Sequence, residues 1–148
     1  MTRKRRVVAA ITSISVLLML PIPYLASPEW TVLVTDEAGH PLQGMLVRLE
    51  YENYSTESNS HEVDLTTDSN GRTTFSANMG FAPLLSRLFY TARSAAALAH
   101  ASFGPTAYVL VFGDGREGSI NSDGGTVYFW NGKPKRLAST VIARPRDP

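Results

Sequence analysis

Chemistry in a 148-residue chain without cysteine falls to histidines, carboxylates, hydroxyls and aromatic rings. There is no thiol nucleophile, no thiolate zinc site and no disulfide. Three histidines remain. His40 precedes Pro41 in a turn-rich stretch, His61 borders a polar loop, and His100 follows an apolar periodic segment. Each reads as surface or cap chemistry. No Gly-x-Ser-x-Gly elbow is present to present a serine to a base. Glu50 and Glu52 share a strand face, as any solvated strand face would have them. Asp114, Glu117, Asn121 and Asp123 lie in a Gly-rich stretch and offer hard oxygen ligands to Ca²⁺. Their spacing lacks the order of a helix–loop–helix calcium loop. Tyr51, Tyr54, Tyr128 and Trp130 are the aromatic candidates for holding a ligand, the best suited being Tyr128 and Trp130. They alternate onto one strand face and would give a stacking platform for a sugar or small molecule. No cofactor, no metal and no catalytic residue is expected.

These residues are carried mostly by strands. Trp30, Val32 and Val34 alternate with Thr31, Leu33 and Thr35. Met45, Val47, Leu49 and Tyr51 alternate with polar residues in the same way. Residues 62–67 and 72–76 flank Asp68-Ser69-Asn70-Gly71 and predict a hairpin. Further strands are expected at 107–112, 119–121, 126–130 and 136–143. Between them the period changes. Phe81, Leu84, Leu85, Leu88, Phe89, Ala92, Ala95, Ala96 and Ala99 recur at three and four, predicting one amphipathic helix at about 82–100 that packs on the body. Pro83 suits its first turn. The expected fold is mainly β: a seven- to eight-stranded antiparallel sandwich with that helix, preceded by an N-terminal hydrophobic helix.

The N-terminus reads as an export segment. Arg3, Lys4, Arg5 and Arg6 precede an apolar run from Val7 to Leu20, and Pro21 and Pro23 follow. Residues 1–27 are expected to be a signal peptide or signal anchor, with 7–26 long enough to cross a bilayer. The bulky Tyr24 and the proline at 28 disfavour cleavage after Ala26 or Ser27, which favours a retained anchor. The body then spans 28–144 and a short tail 145–148. All acidic side chains lie at or after Glu29. Beyond the basic block the chain carries ten basic against thirteen acidic side chains, a formal −3. That balance speaks against nucleic-acid binding. The expected location is the cell membrane with the body outside the cytoplasm, or the secreted or periplasmic space if the leader is removed.

The segment from Trp30 to Glu50, with Asp36, Gly39, Pro41 and Gly44 in a D-x-x-G-x-P-x-x-G turn, is followed by Thr67, Asp68, Gly71, Arg72 and Phe75. This pattern over 30–76 resembles the carboxypeptidase regulatory-like domain, a transthyretin-like (prealbumin-like) β-sandwich. The resemblance implies a non-enzymatic module in a structural or protein/glycan-contact role in the cell envelope. One transthyretin-like group, the hydroxyisourate hydrolases, is enzymatic. It needs a His/Arg/His site and a Tyr-Arg-Gly-Ser-type C-terminus, whereas this chain ends Arg144-Pro145-Arg146-Asp147-Pro148. The expectation is therefore a non-enzyme.

Overall fold

The computed structural model describes residues 3–120 and 136–146, together with the backbone of 128–129. A helix, α1 (Arg3–Met19), is followed by strands β1 (Pro21–Ser27), β2 (Glu29–Thr35), β3 (Leu46–Asn53), β4 (His61–Thr66), β5 (Arg72–Phe75) and β6 (Asn78–Pro83). Helix α2 (Leu84–Ala96) and a single tight turn at Leu98–His100 come next. The chain ends with β7 (Pro105–Gly113), β8 (Arg116–Ser119), β9 (Tyr128–Phe129), β10 (Arg136–Ile142) and β11 (Arg144–Pro145).

The strands form three sheets. One has the order β10-β2-β5, a larger one runs β11-β8-β7-β3-β4 with β9 added to β7, and a two-stranded ribbon joins β1 to β6. The first two sheets bury their alternating residues in one cluster. Trp30, Val32, Val34, Phe75 and Val141 come from one layer; Met45, Val47, Leu49, Ala107, Val109 and Val111 come from the other. Eight of them (Trp30, Val32, Val34, Val47, Leu49, Ala107, Val109 and Val111) are 0% exposed, and Phe75 and Val141 are 1% exposed. The period-2 pattern thus places each residue on its expected side. Trp30 and Phe75 stand opposite each other in the β2–β5 ladder. The Trp30 indole donates to Ser139 Oγ at 3.0 Å, so its one polar atom is satisfied inside the core.

Four details depart from the sequence reading. The stretches on either side of Asp68 do not form a hairpin: β4 pairs with β3, whereas β5 pairs with β2 in the other sheet. After the single bond from the Asp68 amide to the Arg72 carbonyl, the chain crosses between layers. The layers are also not wholly antiparallel, because β10 runs parallel to β2 from Arg136↔Glu29 to Ile142↔Thr35. A parallel neighbour needs a long crossover, and the chain between the two strands, which includes β3, β4, β7 and β8 of the larger sheet, supplies it. The helix expected from 82 begins at Leu84, after a strand that ends at Pro83, and its α-helical part stops at Ala96. Finally, the N-terminal helix stops at Met19, so residues 7–26 are not one helix. Pro21–Ser27 is extended instead and pairs with β6 from Pro21↔Pro83 to Ser27↔Asn78. Prolines are tolerated there because β1 is an edge strand. Among the described residues no helix is long and apolar enough to cross a membrane.

Two aspartates organise the turns joining the layers. Asp36 Oδ1 accepts the amides of Ala38 (2.9 Å) and His40 (2.8 Å). Asp68 Oδ1 accepts those of Asn70 (2.8 Å) and Arg72 (2.9 Å). The same device recurs in both motifs, an aspartate replacing water at the turn's amides. The two turns also touch. The Val34 amide donates to the Gly71 carbonyl at 2.8 Å, and a Cβ on Gly71 (φ +69°) would lie 2.6 Å from Val34 O. Only glycine fits that combination of left-handed backbone and contact. Thr67 completes the joint: its hydroxyl donates to Leu42 O (2.7 Å) and accepts the Met45 amide (3.0 Å).

Candidate functional site

Two surfaces stand out on this scaffold. The first is polar. In the β3–β7 ladder Glu50 lies opposite Tyr108 and Glu52 opposite Thr106, so the four share the outward face of the larger sheet. With Tyr51 and Tyr54 they line a small cleft of about 130 Å³. Glu52 and Tyr54 also line a neighbouring cleft of about 270 Å³ that runs beneath α2 to Arg93 and His100.

The loop after β3 fixes Tyr54. Buried Asn53 accepts the Ser55 amide on its side-chain oxygen (3.1 Å) and the Thr56 and Glu57 amides on its carbonyl (2.8 and 3.0 Å). The Tyr54 amide donates to Gly104 O at 3.1 Å, and Ser94 Oγ donates to Tyr54 O at 3.1 Å. The loop is thereby tied both to α2 and to the segment entering β7.

The electrostatics of the cleft are negative. Burial, then the charges of Glu57 and Glu50, raise the Glu52 carboxyl above its usual range, with His61 opposing. Burial and the adjacent Glu50 push the Tyr108 phenol up, and burial with Glu52 and Glu50 does the same to Tyr54. Arg48 lies on the same strand face but is engaged elsewhere. Its guanidinium grips Asp64 through two bonds of 2.8 Å, meets Glu62 at 2.7 Å, and stacks 5.7 Å over Phe112. That grip holds Asp64 below the ordinary carboxylate range. Among the described residues one buried side-chain polar atom has no hydrogen-bond partner: Thr106 Oγ1, on a cleft-lining residue 4% exposed.

The second surface is apolar. The α2 residues Leu84, Leu85, Leu88 and Phe89, at the positions expected to pack on the body, are instead 39–62% exposed. No residue of α2 or α1 is buried. Met79 and Phe81 of β6, Ile22 of β1 and Val7, Val8, Ile11, Ile14, Val16, Leu17 and Met19 of α1 are exposed as well. Arg87 holds this base together. It donates to Ile22 O at 2.9 Å and lies 5.6 Å over the Tyr24 ring, clasping α2 to β1. The Tyr24 hydroxyl donates to Glu57 at 3.2 Å and connects the base to the polar loop. The α2 period was visible in the sequence; its exposure was not, because periodicity marks an apolar face without saying what covers it.

The sequence-predicted platform is only partly placed. The β9 backbone at Tyr128 and Phe129 pairs with Ala107 and Thr106 of β7. The side chain of Tyr128, and Trp130 altogether, lie outside the described residues, as do Asn121 and Asp123 of the acidic stretch. Glu117 from that stretch is bound by Arg146 Nε at 2.9 Å. Among the described residues no three His, Asp or Glu side chains converge to hold a metal. His40 pairs with Asp36 (3.2 Å) and His61 with Glu57 (2.7 Å). The tyrosine–carboxylate cleft was missed in the sequence because Tyr54, Thr106 and Tyr108 reach Glu50 and Glu52 only through strand pairing. The alternation of Glu50 and Glu52 and the aromatic candidates Tyr51 and Tyr54 were its local signals.

No family model matches the chain, and no curated protein matches it. A solved structure similar to it is the 3-chlorocatechol 1,2-dioxygenase of Rhodococcus opacus 1CP, with a TM-score of 0.47 and 17% identity over 80% of this chain. The match spans 61% of the dioxygenase chain.

Proposed function

We propose that the protein is an exported or membrane-anchored β-sandwich module of the carboxypeptidase regulatory-like, transthyretin-like type, non-enzymatic and with a structural or contact role in the cell envelope. The observation carrying this reading is the exposed apolar base. Exposed apolar patches of this extent mark a surface that meets something apolar. Here the patch continues into α1, whose first turn carries Arg3, Lys4, Arg5 and Arg6. Basic residues beside an apolar helix suit anionic headgroups and the hydrocarbon beneath them. The apolar part of α1, Val7–Met19, would rise about 20 Å, short of the ~30 Å hydrocarbon core. The membrane is therefore engaged by α1 together with the base.

The burial of Ala26 and Ser27 in β1 supports a retained N-terminus. Asn78 donates to Ser27 Oγ at 2.9 Å, so a cut after either residue would separate β1 from a pairing it already makes. The motif aspartates and glycines act as turn builders, which suits a scaffold.

Fractionation of cells expressing the full chain with a C-terminal tag tests the proposal. The product is expected in the membrane fraction at the full 16.2 kDa plus tag, with its body open to protease from the outer side. Recovery as a soluble cytoplasmic protein would overturn it. A second reading, a small-ligand module, is favoured by the tyrosine–carboxylate cleft.

A further inference from the structure

We infer that the cleft formed by Glu50, Glu52, Tyr54, Thr106 and Tyr108 is a binding site for an organic cation, an ammonium or guanidinium group carried on a short stem. The site is independent of the membrane reading. Two carboxylates stand side by side along β3, and a phenol from β7 faces one of them across the ladder. A second phenol, Tyr54, closes the cleft from the tied-down loop. Tyrosine faces attract a cation through the ring quadrupole while adjacent carboxylates neutralise it.

Two nearby arginines are committed elsewhere. Arg48 is held by Asp64 and Glu62, and Arg87 is bound to carbonyls of β1. Two carboxylates and no cationic side chain line the small cleft among the described residues, with Arg93 and His100 at the far end of the larger one.

Thr106 supplies the independent indication. Its hydroxyl is buried and unpartnered, and the residue lies directly opposite Glu52. A buried polar atom without a partner costs about 1–3 kcal/mol. An N–H donor of a bound cation would remove that cost. A volume of about 130 Å³ suits one headgroup and part of its stem, and the larger cleft sharing Glu52 and Tyr54 gives room for the remainder. A divalent metal fits less well, because no three ligating side chains converge there among the described residues.

The test is a titration of the full chain in a non-ionic maltoside micelle, followed by calorimetry. The probes are N-acetyl-lysine methylamide, agmatine, and N-acetyl-norleucine methylamide, which keeps the stem and lacks the charge. Saturable binding of the lysine derivative or agmatine, with none by the norleucine derivative, is expected. Tighter binding of the lysine derivative identifies a basic protein side chain as the source. Tighter binding of agmatine identifies a free amine. The double variant Glu50→Gln/Glu52→Gln should weaken binding about tenfold or more, a loss of ~1.4 kcal/mol. Thr106→Val should weaken it about threefold while leaving the fold intact or firmer. Glu117→Gln, a charge loss on β8 outside both clefts, should leave affinity unchanged. Equal binding of the norleucine derivative would overturn the inference. So would saturation by CaCl₂ in place of the organic cations, or unchanged affinity in either the double variant or Thr106→Val.

Discussion

The layered body and the base at its N-terminal end are built from equally apolar sequence and treat it in opposite ways. In the body, alternating residues vanish from solvent: Val32, Val34, Val47, Leu49, Val109 and Val111 are all fully buried. In the base, Leu88, Phe89, Phe81 and Met79 are each more than half exposed. The body gains its stability from side chains meeting side chains across two sheets. The base is held by backbone pairing between β1 and β6 and by the Arg87 clasp, leaving its apolar atoms for an outside surface. A residue type is therefore a poor guide to its energetic role in this molecule; the partner decides.

Substitutions in the two regions should separate accordingly. Trp30→Ala should be the most damaging, about 3–5 kcal/mol by denaturant unfolding, since it leaves a large cavity and an unpaired Ser139 hydroxyl. Gly71→Ala should cost about 2 kcal/mol or more, because the left-handed backbone and the contact with Val34 O both oppose a Cβ. The pair Leu88→Ser/Phe89→Ser should change unfolding stability by under about 0.5 kcal/mol per site while lowering partition into anionic vesicles more than about tenfold. A large loss of stability in that pair would mean the base is core after all. Asp68→Ala should cost about 1 kcal/mol through its two turn amides.

The smallest expected effect has the opposite sign. Glu52 titrates at a raised value in the folded protein, so its ionised form is the disfavoured one. Stability should rise as pH falls from neutral through that raised value, and level off below the unfolded value. Glu52→Gln should accordingly raise Tm slightly at pH 7 and flatten that part of the pH profile. A lower Tm would contradict the cost of burying the Glu52 charge, the main cause of its raised value, to which Glu57 and Glu50 add.

Six of the strands expected in the body appear near their expected places, and Trp30–Thr35, Met45–Glu52 and Ala107–Phe112 each write a clear alternation; the strand expected at 119–121 is instead Arg116–Ser119, in a stretch that reads as loop, and of 126–130 only the backbone of Tyr128–Phe129 lies within the described residues. Their pairing was less legible. Asp68-Ser69-Asn70-Gly71 has the composition of a hairpin turn, and only the contact of Gly71 with Val34 reveals it as a crossing between layers. The strands at 21–27 and 78–83 were hidden, one within an apolar leader broken by prolines and the other ahead of a helical period. Neither has alternation strong enough to outvote its neighbour. The cleft was least visible of all, since its residues come from positions 50–54 and 106–108 and meet only once β3 and β7 have paired.

The parallel seam between β2 and β10 sets the order in which this protein can be completed. The second strand of the chain waits, with one edge open, for a partner more than a hundred residues downstream. Loop closure over that distance is slow. A growing chain therefore stays incompletely closed until β10 emerges, which is the state a polypeptide must keep if it is to be threaded through a narrow translocation pore before it sets.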